Sequence, residues 1–189
     1  MTAPLPLLGP VMPGVWRIDP SRSRVFFRMR HFTLRWVRGS FSRFGGEISV
    51  SEDIPRSTAT GLIDMASLDT GDAARDEFLR SENFFDVGTF PHMVYTSRRI
   101  SGGGRELTVD GELTLRRSTA PIRLKVRWRG DGKAGPGTNG DRPRLFLAAV
   151  GQVDRESLGV VINTPIMGSR AVLGRTVHIG IRGEAVLLD

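Results

Sequence analysis

From residue 16 onward the chain alternates apolar and polar positions with a period of two. That period belongs to strands with one buried and one wet face. In residues 24–32, Val25, Phe27, Met29 and His31 share one parity, against Arg24, Phe26, Arg28 and Arg30 on the other. In 107–115, Leu107, Val109, Gly111, Leu113 and Leu115 oppose Thr108, Asp110, Glu112 and Thr114. In 122–129, Ile122, Leu124, Val126 and Trp128 oppose Arg123, Lys125, Arg127 and Arg129. Weaker alternation predicts further strands over 37–44, 47–50, 58–65, 93–97, 144–154, 157–162 and 176–187. Turn chemistry separates them: Gly45-Gly46, Gly102-Gly103-Gly104, and residues 130–143 with five glycines and two prolines.

One segment breaks the pattern. Residues 72–82 predict a helix, with Asp72 in its first turn and Ala74, Phe78 and Leu79 at helical spacing. The pair Phe84-Phe85 follows it. Residues 169–173 admit a second short helix. About eight one-sided antiparallel strands and one helix predict an all-β, closed eight-stranded barrel, because closure removes the sheet edges. Eight strands enclose just enough space to fill with side chains or to hold one slender ligand. The barrel domain is expected over 15–189, behind a flexible arm formed by 1–14.

Composition narrows the chemistry. A chain of 189 residues buries roughly 70% of its unfolded surface without staples. The absence of cysteine excludes disulfide frameworks, thiolate nucleophiles and thiolate metal sites. The three histidines, His31, His92 and His178, show no metal-ligand spacing, and no nucleophile elbow or other catalytic motif is present. Residues 1–14 contain no basic residue and four prolines, so no secretory signal is legible and a cytoplasmic setting is expected. The net charge of +7 resides in one stripe: from Arg17 to Arg43 there are eight arginines and one acid, Asp19, while the remainder balances. Such a stripe is either a solvated strand face or a surface that attracts anionic lipid or nucleic acid.

Several runs resemble the YceI-like family, lipocalin-resembling polyisoprenoid-binding proteins of bacteria. The opening run is Trp16, Ile18, Asp19, Pro20, Ser23, Val25, Phe27, Arg30 and His31, continued by Val37, Gly39, Phe41, Phe44, Gly46 and Ile48. The central run is Ser67, Asp69, Thr70, Arg75, Asp76, Leu79, Arg80, Ser81, Phe84, Phe85 and Asp86. The later run is Gly111, Leu113, Thr114, Thr119, Pro121, Leu124 and Val126. The chain departs from the pattern at Arg22 and Phe78, where the family commonly has histidine, and at Arg117, where glycine is usual. The resemblance implies a lipocalin-like barrel that binds an isoprenoid or another long apolar chain, without a catalytic step or a separate cofactor. Many members of the family are periplasmic or secreted.

The inward parity supplies the candidate binding residues: Val25, Phe27, Met29, His31, Ile63, Met65, Tyr95, Gly111, Leu113, Val126, Trp128 and Leu147. A packed core would use the same parity. Gly61, Gly111 and Gly151 fall on it too, and either leave a channel for ligand or mark barrel corners. Phe78, Leu79, Phe84 and Phe85 read either as a lid over the barrel mouth or as a plug. Arg75-Asp76 reads as a helix anchor or as a headgroup contact. His31 is a buried histidine with a polar partner or a headgroup ligand.

The leading expectation is non-enzymatic binding, storage or transport of a polyisoprenoid, an isoprenoid quinone or a fatty-acyl amide. The alternative is an enzyme acting on an isoprenoid or quinone, with His31 or Asp76 as acid–base. Through the stripe between Arg17 and Arg43 the protein is expected to touch anionic membrane transiently. Nucleic acid, with Phe26, Phe32 and Trp36 as stacking platforms, is not the expected partner, and a homodimer is left open.

Overall fold

The computed structural model describes residues 11–31, 35–129, 142–161 and 173–188, with backbone only for His31, Arg35 and Leu173. The strands are β1 (Gly14–His31), β2 (Arg35–Phe41), β3 (Phe44–Val50), β4 (Thr58–Asp64), β5 (Leu68–Asp69), β6 (His92–Gly103), β7 (Glu106–Leu115), β8 (Ser118–Arg129), β9 (Arg144–Asp154) and β10 (Leu173–Leu187). The helix α1 (Ala73–Arg80) lies between β5 and β6. Neighbours pair antiparallel in the order β10-β9-β8-β7-β6-β4-β3-β1, and β1 returns to pair with β10. Eight strands therefore close into a barrel, as the alternation predicts. The two extra strands continue existing ones. β2 replaces β3 as partner of the second half of β1, and β5 adds to β2.

The first strand is longer than its clean alternation, because the pairing of β1 with β10 shifts register between Asp19 and Arg24. A bulge there resets the parity, so Trp16 and Ile18 before it and Val25 and Phe27 after it all face inward. Trp16, Trp128, Leu145 and Ala185 belong to one buried cluster towards one end of the barrel. The predicted helix forms one residue inside its expected start, because Asp72 is its N-cap and accepts from the Arg75 amide at 3.0 Å.

Besides the apolar contact of Leu79 with the core, the helix docks by its polar side. Asp76 is its buried residue. Its carboxylate accepts the Thr70 amide at 3.1 Å and the Thr70 hydroxyl at 2.5 Å. Arg75 Nε donates to that same hydroxyl at 2.7 Å, and Arg80 donates to the Leu68 carbonyl at 2.5 Å. Arg75 and Asp76 are thus linked through Thr70, immediately after β5, which is the anchoring reading of the pair.

Over 157–161, the described part of the strand expected at 157–162, no strand forms. Residues 155–159 turn instead: the amides of Leu158 and Val160 both bond to the Arg155 carbonyl, and Gly159 has φ +71°. The buried Arg155 side chain holds the turn by donating to the carbonyls of Val160 and Gly174. The apolar alternation of Leu158 and Val160 reflects two contacts of this turn with the core. The candidate second helix at 169–173 falls almost wholly outside the described residues, and Leu173 already begins β10. The arm 1–14 is described only from residue 11, where the Met12 carbonyl accepts the Trp16 indole N–H at 3.0 Å.

Removing the Asp76 carboxylate leaves the Thr70 amide and hydroxyl without an acceptor in a buried setting. Asp76→Ala is expected to destabilise the fold by about 1–3 kcal/mol. Urea unfolding with an unchanged m-value measures it. A loss of only a few tenths of a kcal/mol would mean that water substitutes for the carboxylate and that α1 is held mainly by apolar contacts.

Candidate functional site

The inward faces of the strands do not fill the barrel. They enclose a cavity of about 1300 Å³. Ligand pockets for drug-sized molecules typically span ~300–1,000 Å³, so this space suits something larger. Every strand from β1 to β10 contributes, most of them at alternate positions. Of the residues expected to face inward, Val25, Phe27 and Met29 line it from β1, Ile63 from β4 and Tyr95 from β6. Leu113, Val126, Trp128 and Leu147 line it from β7, β8 and β9, and Met65 follows β4 in a short 3₁₀ turn. The side chain of His31 is outside the described residues.

The lid cluster divides. Leu79, Phe84 and Phe85 line the cavity, whereas Phe78 packs on Phe84 with ring centres 5.8 Å apart and does not reach it. Phe84 meets Phe85 edge-on at 4.5 Å, and Arg116 donates to the Phe84 carbonyl at 2.8 Å. The segment is part of the wall: β5 forms no ladder with β6, and α1 with its aromatic turn follows β5 there.

The glycines behave differently from one another. A Cβ on Gly111 would lie 2.6 Å from the Tyr95 hydroxyl and 2.7 Å from the Thr96 carbonyl oxygen. One on Gly151 would lie 2.7 Å from Leu124. These two glycines do not open a channel. They seat neighbouring side chains, and neither Gly111 nor Gly151 lines the cavity. Gly61 does line it, and a Cβ there would meet Tyr95 Cβ at an ordinary 3.6 Å. Inward parity marks all three alike, because pattern carries no information on what stands across the barrel.

Charge is unevenly placed along the wall. The charged lining residues among those described are Arg38, Asp72, Arg75 and Arg155, all toward the α1 end. The opposite end carries the buried cluster of Trp16 and Trp128. Arg155 was invisible in the sequence, where Asp154-Arg155-Glu156 looks like an exposed turn, yet it is 6% exposed. Phe41, Phe44 and Ile48 also line the cavity, from strands whose alternation was too short to rank them.

One polar atom stands out inside this wall. The Tyr95 hydroxyl is buried without a hydrogen-bond partner among the described residues. Burial, helped by the nearby Asp110 charge, pushes its pKa up to about 12. Among the described residues no group of three or more His, Asp or Glu side chains could hold a metal.

Three comparisons bear on this geometry. The profile of the YceI-like domain matches residues 16–185. Among curated proteins, UPF0312 protein YE1254 of Yersinia enterocolitica is 34% identical over 127 residues, and Protein YceI of Salmonella newport is 33% identical over 127 residues. Each match covers 66% of this chain and 66% of the relative, so it spans just under two thirds of those proteins. Among solved structures, Burkholderia cenocepacia BcnA superposes with a TM-score of 0.71 at 21% identity, over 90% of this chain and 99% of that one. A polyisoprenoid binding domain from Saccharophagus degradans, implicated in plant cell wall breakdown, gives 0.66 at 16% identity over 94% and 100%. At these identities the structures establish a shared fold.

Two measurements test the site as drawn. Tyr95 is the single tyrosine of the chain, so phenolate absorbance reports it alone. Its midpoint is expected near pH 12, against about 10 for a free phenol. The folded state then keeps a proton that the unfolded state loses, so stability should fall as pH rises from about 10 towards 12, and less steeply in Tyr95→Phe. A midpoint near 10 would place the hydroxyl in water. Separately, Gly111→Leu must displace Tyr95 or the backbone at Thr96. It should cost at least the ~1–3 kcal/mol of overpacking in thermal or urea unfolding. Unchanged stability would mean that free space adjoins Gly111 after all.

Proposed function

The chain belongs to the YceI-like family, and we propose that its barrel binds and carries a long apolar molecule without transforming it. The observation that carries this reading is the cavity of about 1300 Å³, walled by apolar side chains, with its charged residues gathered at one end. A packed core of the same alternation would leave no such space. Since a related fold is described as polyisoprenoid-binding, we assign this chain the same ligand class: a polyisoprenoid, an isoprenoid quinone or a fatty-acyl amide.

The energetics suit a carrier. Burying about ten methylene-sized groups at ~0.8 kcal/mol each gives ~8 kcal/mol, a micromolar affinity before ordering costs. Apolar contact discriminates poorly between chains, because one methylene more or less is worth only ~1–3 kcal/mol. Direction is better specified. The tail is assigned to the end at Trp16 and Trp128, and the polar group to the end that carries Asp72, Arg75 and Arg155. Burying the polar group at the tryptophan end would leave it without partners. The arginine stripe between Arg17 and Arg43 belongs to the same reading, as the means of visiting an anionic membrane where such chains reside.

Protein purified without detergent should carry a long-chain lipid, identified by mass spectrometry of an organic extract at near-stoichiometric amount. Gly61→Leu places new atoms in the cavity without a backbone clash, so it should reduce the bound lipid while the ligand-free protein keeps its thermal stability. Lipid-free wild type that also fails to take up an added polyisoprenoid would defeat the carrier reading.

A further inference from the structure

The outer surface divides the arginine stripe into two kinds. Arg17, Arg43 and Arg22 are neutralised by Glu47 at 2.8 Å, Asp64 at 2.7 Å and Glu184 at 3.6 Å. Elsewhere on the barrel the same habit holds: Arg98 pairs with Glu112, Arg123 with Asp110 and Arg127 with Glu106. The arginines of the second half of β1 do not follow it. Arg24, Arg28 and Arg30, with Arg38 on β2 and Arg182 on β10, have no carboxylate at ion-pair distance among the described residues.

Their register makes this costly. Arg24 stands directly opposite Arg182, and Arg28 directly opposite Arg38 on one side and His178 on the other. Like charges facing across a ladder destabilise a sheet. Charge pairing within the fold therefore does not account for this grouping. Two aromatic side chains lie within it. Phe26 is 37% exposed, and its ring covers Gly180. Trp36 is 37% exposed as well, with the guanidinium carbons of Arg28 and Arg30 at 4.7 and 5.1 Å from its ring centre.

We infer that the outer face of β10, β1 and β2, centred on Arg28, Arg38 and Trp36, is the surface by which the barrel docks on an anionic lipid bilayer. Arginines satisfy lipid phosphates, and aromatic side chains belong at the level of the headgroups. The guanidinia already lie over the Trp36 ring, where a stacked base would have to go, which disfavours single-stranded nucleic acid as the occupant. Phe26, Trp36 and Arg38 of this face also border the cavity, which Val25, Phe27 and Met29 line from the same half of β1. Docking thus brings the cavity wall to the membrane. The choice of lipid over another polyanion rests on the carrier reading.

Trp36 offers its own readout, because Trp16 and Trp128 are 0% and 7% exposed. The experiment mixes the protein with vesicles of phosphatidylcholine, and of phosphatidylcholine with phosphatidylglycerol. It measures co-sedimentation, tryptophan emission and quenching by brominated acyl chains. Expected are binding to the anionic vesicles alone, weakening with salt, and a blue shift with quenching that Trp36→Phe removes. The double variant Arg28→Glu/Arg38→Glu should bind roughly tenfold or more weakly. Arg123→Glu/Arg127→Glu, the same charge change on β8, should lose much less. Circular dichroism melts of all variants establish that they are folded. Four results would overturn the inference: equal binding to neutral vesicles, no binding at low salt, equal loss in both double variants, or a preference for a single-stranded oligonucleotide over anionic vesicles. Lipid content of the same preparation, read by mass spectrometry, keeps the two proposals apart. Empty protein that docks through this face defeats the carrier alone, and lipid-filled protein that ignores vesicles defeats the docking face alone.

Discussion

The ladder between β1 and β10 is the contact on which the rest of the structure depends. Its pairs run from Trp16↔Leu187 through Val25↔Ile181 to His31↔Leu173, the full length of the wall. It joins the two ends of the chain's sheet and so has a high entropic cost of closure, which only a long continuous pairing offsets. Opened at that seam, the barrel would be a curved sheet with two free edges and an apolar face in water. The bulge between Asp19 and Arg24 belongs to the same constraint: a strand this long must bend to follow a barrel, and a bulge supplies the bend while keeping both halves of β1 apolar-in.

A closed wall leaves the question of what occupies the middle. Side chains answer it in part towards one end, where Trp16 and Trp128 belong to one buried cluster, and leave a cavity within the wall. The helix end is organised by hydrogen bonds, because irregular backbone there cannot rely on a ladder. Asp76 satisfies Thr70, Arg80 satisfies Leu68, and Arg155 satisfies Val160 and Gly174. Each of these polar side chains serves carbonyls or amides that the barrel would otherwise leave orphaned. The same placement of charge gives the cavity a polar and an apolar pole.

The alternation made the barrel legible because period two is a direct consequence of pleating, and the parity of Val25, Phe27, Leu113 and Trp128 transferred to the structure unchanged. What escaped it depends on contacts across space. Gly111 and Gly61 share a parity, but Tyr95 lies on one and beside the other. The apolar positions Leu158 and Val160 read as a strand, while a buried arginine turns the chain there. Asp76 looked like half of an ion pair and is instead an acceptor for Thr70. Helical spacing located the helix, and the YceI-like runs cover it and its aromatic turn. They did not tell that Phe78 packs behind Phe84 and so outside the cavity.

A cavity of this size changes what stability means for the fold. Its lining atoms lack partners on one side, so the empty barrel forfeits dispersion energy that a packed core of the same length would have. The close contacts at Gly111 and Gly151 keep that part of the wall tightly packed, which limits how far it can relax into the space. An apolar chain in the cavity then acts as the missing part of the core. Because only the folded barrel offers that site, occupancy adds to stability by RT ln(1 + [L]/Kd), ~2.7 kcal/mol when ligand is a hundredfold above Kd. The term is comparable to a large core substitution and is set by the supply of ligand rather than by the sequence. On the proposed carrier reading the fold is thereby coupled to its cargo, and the filled barrel is the more stable state.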